Sequence, residues 1–140
     1  MSKTITQDIL FRNTTPKSLF DLYINAKKHS AATGAMAKIT GKEGSLFTVH
    51  NGYITGKNLQ IVKNKQVVQS WRAQGWDKEM TDSILLLNFE QKGKDTVLQL
   101  VHANIPDKHA KGIDHGWHDH YWKPWKKFLA GKPVAKSPAM

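Results

Sequence analysis

Between Met36 and Ile105 the sequence runs through short apolar-alternating segments, each closed by a turn, and then enters one long aromatic-rich helical pattern. That succession restricts the fold more than any other feature. Met36 to Thr40 leads into Gly41-Lys42-Glu43-Gly44, and Ser45 to His50 leads into Asn51-Gly52, a strong hairpin signal. Tyr53 to Val62, Gln66 to Gln74, Thr81 to Gln91 and Thr96 to Ile105 follow, punctuated by Lys63-Asn64-Lys65 and by Lys92-Gly93-Lys94-Asp95. Strands joined this tightly pair antiparallel, and such a sheet hides its apolar face only by curling or by being covered. Pro106-Asp107 then opens the cover, a helix whose main body is about Lys111 to Leu129. Ile113, Trp117, Tyr121 and Trp125 recur every four residues, and Phe128 and Leu129 continue the stripe. Pro124 inside it predicts a kink or a missing backbone bond.

Upstream, Ile5 to Arg12 reads as a first strand. Asn13-Thr14-Thr15-Pro16 starts a helix, with Thr15 as cap and Pro16 in the first turn, and Leu19, Phe20 and Tyr23 on one face. A second short helix, about Ala26 to Thr33, ends at Gly34. The expectation is an α+β fold: a curved antiparallel sheet of about seven strands around a long C-terminal helix, with two short helices after the first strand. A single domain is expected over residues 1–130, and the Lys-, Pro-, Ala- and Ser-rich tail 131–140 is expected to be disordered.

Composition removes several function classes. A length of 140 residues suits one hydrophobic core, and without cysteine there is neither a disulfide framework nor thiol chemistry. No apolar run approaches the roughly 20 residues of a membrane span, so no membrane insertion is expected. Met1 to Asp8 lacks a signal-peptide core, which makes the cytoplasm the expected compartment. Twenty-one Lys and Arg against 11 Asp and Glu give a net charge of +10, but only Arg12 and Arg72 are arginines and the lysines are scattered. Arg is the residue suited to bidentate base and phosphate recognition, and no nucleic-acid motif accompanies the charge, so no nucleic-acid partner is expected. There is no nucleophile motif and no phosphate-cradling glycine loop; no catalytic residue and no cofactor is assigned.

Four segments go beyond pattern. Thr33-Gly34-Ala35, Asn51-Gly52-Tyr53-Ile54-Thr55-Gly56-Lys57-Asn58-Leu59, Gln69-Ser70-Trp71-Arg72 and Gly116-Trp117-His118-Asp119-His120-Tyr121-Trp122 stand in an order that resembles the family related to the C-terminal domain of the Hsp90 ATPase activator Aha1. That family lies within the START/Bet v 1-like superfamily, and the resemblance runs from about Asp8 to Leu129. It implies a helix-grip fold, binding of a small apolar or aromatic molecule as in the superfamily, and an Hsp90-type chaperone as a possible partner.

A curved sheet gripping a helix leaves room for a cavity. Its expected lining is Phe47, Trp71, Phe89, Leu100, His102, Trp117 and Tyr121, each of which is otherwise a core residue. His102 follows Leu98 and Leu100 at strand period. It is expected either to orient a ligand or to be a core histidine bonded to a carbonyl or a neighbouring side chain. Arg72 is either an anchor for a ligand carboxylate or half of an ordinary ion pair. His109, His115, His118, His120, Asp114 and Asp119 cluster on the C-terminal helix, but they spread around it and lack a metal-site motif, so a polar outer face is expected and no metal. The reading is non-catalytic binding of a small apolar or aromatic ligand. The alternatives are a protein-interaction module of Hsp90 co-chaperone type and a cyclase-like enzyme using His102 and Arg72.

Overall fold

In the computed structural model, which describes residues 1–136, Ser2–Phe11 forms strand β1 and buries Ile5, Ile9 and Phe11. This is the two-residue alternation of a sheet with one covered face. Thr15 caps helix α1 (Pro16–Ile24) by accepting from the Ser18 N–H, and Gly34 ends helix α2 (Ala26–Thr33) in the left-handed conformation, φ 79°. Strands β2 (Leu46–Val49), β3 (Ile54–Val62), β4 (Gln66–Ala73), β5 (Ser83–Lys92) and β6 (Asp95–Pro106) follow. All neighbours are antiparallel in the order β1-β6-β5-β4-β3-β2, so the first strand closes beside the last. The sheet has six strands; Met36 to Thr40 contributes only an isolated bridge between Lys38 and Thr48. The last four residues of the expected tail lie outside the described residues; residues 132–136 have no regular secondary structure.

The C-terminal cover is α3 (Asp107–Trp117), a π turn (His118–Trp122) and α4 (Lys123–Leu129). The widened turn lies immediately upstream of Pro124, which has no N–H to offer the carbonyl four residues back. Its five-residue repeat changes the face each side chain presents. Trp117 and Trp122, five apart, stack at 5.5 Å with 16° between their planes, and Tyr121 and Trp122 are both buried. A strict four-residue stripe leaves Trp122 out; the π turn brings it in. No helix among the described residues is long and apolar enough to cross a membrane.

Under this cover α1 lies against β5, where Phe20 meets Phe89 edge-on at 6.0 Å, and α2 packs against α4. At the other end of the sheet Phe47 on β2 sits opposite Gly56 on β3. A Cβ at Gly56 would lie 2.6 Å from the Phe47 ring and would also meet the Ser70 carbonyl of β4. Gly56→Ala is expected to destabilise by on the order of 3 kcal/mol through overpacking. A melting temperature within a few degrees of wild type contradicts that packing.

Candidate functional site

The short β2–β3 turn places the first wall of the site. His50, Asn51 and Gly52 are all left-handed (φ 52°, 59° and 88°), which turns His50 inward until its ring meets Tyr121 edge-on at 4.9 Å. Ile54 of β3 and Trp71 and Ala73 of β4 form the floor, and Trp76 from the β4–β5 loop forms a side. Helix α3 and the π turn supply the rest with Lys108, His109, Gly112, Ile113, Gly116, Trp117, His120 and Tyr121. Together these residues, with Tyr53, enclose a pocket of about 280 Å³, just under the usual range for ligand sites.

Of the expected lining, Trp71, Trp117 and Tyr121 meet in this pocket. Phe47, Phe89, Leu100 and His102 do not line it; they are buried in the core. His50, Trp76, His109, Gly112 and Gly116 were not in the expected set; the Asn51-Gly52 turn, the histidine cluster that includes His109 and the Gly116–Trp122 segment were the sequence signals nearest to them.

His102 resolves as a structural residue with a defined proton. The single hydroxyl proton of Ser83 goes to the Trp71 carbonyl (2.8 Å), so Ser83 must accept from His102 Nε2 (2.8 Å). His102 Nδ1 then accepts from Trp117 Nε1 (3.1 Å). The imidazole is therefore neutral with its proton on Nε2, and burial holds its pKa down at about 3. His29 plays the parallel part on α2. Its Nδ1 donates to the Tyr23 carbonyl (2.7 Å) and its Nε2 accepts from the Tyr121 hydroxyl (3.0 Å). Burial lowers its pKa to about 4, opposed by the bond to that carbonyl. A further buried chain runs from the Tyr23 hydroxyl to Gln69 (2.7 Å) and from Gln69 to Asn58 (2.8 Å).

Arg72 is occupied as well, by the β4–β5 loop rather than by a simple ion pair. It donates to the carbonyls of Met80 (2.6 Å) and Asp77 (2.5 Å), approaches Asp82 at 3.3 Å, and lies 5.9 Å over the Trp76 ring. It thereby positions Trp76. Among the described residues no three His, Asp or Glu side chains converge as a metal site.

Not every buried polar group is bonded: besides Asn64 Oδ1 and Trp125 Nε1, which lie away from the pocket, three belong to pocket residues. Trp71 Nε1, His50 Nδ1 and His109 Nε2 are buried atoms without a hydrogen-bond partner in the protein among the described residues, and all three belong to pocket residues. Buried polar atoms are nearly always paired, so three in one concavity mark a place built to meet another molecule or solvent. His50 has its pKa lowered to about 3, first by burial and then by the neighbouring His29 and His120.

Against this geometry the comparisons are direct. The solved structures that superpose on the chain share its fold, a sheet gripping a C-terminal helix. An Hsp90 activator from Plasmodium falciparum matches with a TM-score of 0.77 and 26% identity, over 95% of this chain and 98% of that one. The family model described as activator of Hsp90 ATPase homolog 1-like protein matches residues 13–129. The chain belongs to that family. Among curated relatives, the activator of 90 kDa heat shock protein ATPase homolog of Dictyostelium discoideum is 28% identical over 74% of this chain, and the human homolog 1 is 25% identical over 81%. The chain spans 27% and 33% of those two proteins.

Three buried imidazoles held neutral give acid sensitivity a definite sign. Below the ordinary histidine pKa of about 6.5, unfolded His29, His50 and His102 take up protons that the native protein refuses. Unfolding then consumes protons, and stability falls as the pH drops from about 6.5 toward the folded values. Calorimetry in buffers of different ionisation enthalpy is expected to show proton uptake on unfolding at about pH 5 that is absent at about pH 8. A stability that stays flat over this range contradicts the neutral assignments.

Proposed function

We propose that this chain is a protein-interaction module that engages an Hsp90-type chaperone in the cytoplasm and stimulates its ATPase. The family match over residues 13–129 carries the reading. It is supported by the likeness to the P. falciparum Hsp90 activator over nearly the whole of both chains. The surface charge gives the interaction its physics. A net charge of +10 favours an acidic partner face, accelerates encounter and makes binding salt-sensitive. Added to the Hsp90-type chaperone of the same organism, the protein is expected to raise the steady-state ATPase rate saturably, and less so as salt increases. An unchanged rate at saturating protein would remove the reading.

A second reading, small-molecule binding, is favoured by one observation: the three unpartnered polar atoms in an otherwise aromatic pocket. A ligand that binds only the folded state stabilises it by mass action, by about 2.7 kcal/mol at a hundred times its Kd. A panel of small aromatic compounds is expected to contain members that raise the melting temperature in a concentration-dependent way. A panel without effect argues against this reading and leaves the chaperone reading standing.

A further inference from the structure

Helix α3 carries two glycines one turn apart, Gly112 and Gly116, and both line the pocket. A glycine within a helix costs about 1 kcal/mol relative to alanine, so a pair calls for a reason. Close packing of the backbone, the usual one, does not apply. A Cβ at Gly112 would meet nothing within 4 Å, and one at Gly116 would make an ordinary 3.6 Å contact with His120. What the two residues provide is space. On this side the pocket is walled by bare helix backbone, whereas one turn earlier His109 stacks on Trp76 at 5.8 Å and ties α3 to the β4–β5 loop.

The interior behind them has a definite chemistry. Trp71, Trp76, Trp117 and Tyr121 surround it, with neighbouring ring centroids 5.9, 6.2 and 4.7 Å apart. Flat faces of this kind accept a planar aromatic guest. Trp71 is only 6% exposed, and its indole nitrogen, which can only donate, has no partner among the described residues. His50 and His109 can each offer an N–H at their unpaired nitrogens. Among the described residues the lining contains no carboxylate, and Lys108 adds a positive charge at the rim, where Asp77 lies 3.6 Å away on the exposed side. Donors predominate and acidic groups are missing, so the complementary guest brings an acceptor and tolerates a negative charge.

Building on the small-molecule reading above, we propose that the pocket binds a planar aromatic carboxylate, which enters over Gly112 and Gly116 and accepts a hydrogen bond from Trp71 Nε1. The carboxylate lies toward the histidine and lysine groups, and the ring against the pocket-facing edges and faces of the tryptophans.

The test compares indole-3-carboxylate with indole, which has the same ring system without the acceptor, in proton–nitrogen spectra of the tryptophan side chains. The Trp71 signal is assigned by its loss in Trp71→Phe. Indole-3-carboxylate is expected to move that signal saturably, and indole to bind about tenfold more weakly for want of the charge-assisted bond. In Gly112→Leu, whose side chain occupies the opening, the melting temperature is expected to hold while the shift disappears. Equal binding of the two probes overturns the acceptor assignment and leaves a binding pocket. Undiminished binding by a folded Gly112→Leu overturns the route of entry. A Trp71 signal unmoved by either probe overturns the proposal, and the thermal panel above then decides separately whether the pocket binds anything.

Discussion

One chain of hydrogen bonds holds the cover to the sheet. Trp117 of α3 donates to His102 of β6, His102 donates to Ser83 of β5, and Ser83 donates to the Trp71 carbonyl of β4. Four elements are thus fixed through a single neutral imidazole. In a buried, low-dielectric setting such a chain works only when every member is satisfied, and here the donors and acceptors match one for one. Two other fasteners act beside it. His29 joins α1 and α2 to Tyr121 of the π turn. Gln7 of β1 donates to Asp114 (2.7 Å) and accepts from Trp122 (2.7 Å), spanning α3 and the π turn. Apolar packing alone lets a helix slide along a sheet; these bonds give it one position.

That fixed position explains why the pocket lies where it does. The fasteners use polar groups beneath the helix on β1, β5, β6, α1 and α2, and on β4 only the Trp71 carbonyl. Toward β3, β4 and the two loops beside them, α3 presents Gly112 and Gly116 among larger side chains, and Trp71, His50 and His109 keep nitrogens that no fastener claims. The π turn contributes directly. It brings Tyr121 and Trp122 inward together, and Tyr121 with His120 continues the pocket wall that begins at Lys108 of α3.

The sequence made the frame legible and the site only partly so. The caps at Thr15 and Gly34, the Asn51-Gly52 turn and the strand alternation are local signals, and the structure follows them to within a few residues. Strand period also put His102 on the buried face, but its partners Ser83 and Trp117 lie 19 and 15 residues away in sequence and no local rule pairs them. Phe47, Phe89 and Leu100, expected either as cavity lining or as core, are buried in the core. Strand period could not show that Phe89 is covered by Phe20 of α1 while Trp71 packs under Trp117 with its Nε1 unpartnered among the described residues. Pro124 signalled irregularity without specifying a π turn, and so Trp122 was lost from the stripe. His29 escaped notice because its partner Tyr121 is 92 residues distant.

The most direct test of this account is the nitrogen-15 spectrum of the histidine side chains near neutral pH. The bonding pattern predicts one fixed neutral tautomer for His102, with the proton on Nε2, and the opposite tautomer for His29, with the proton on Nδ1. His50, whose Nδ1 has no protein partner, is predicted to lack such a lock. An imidazolium at His102, or a proton on its Nδ1, would mean that the helix is not held to the sheet as described, and the pocket defined by that contact would have to be redrawn.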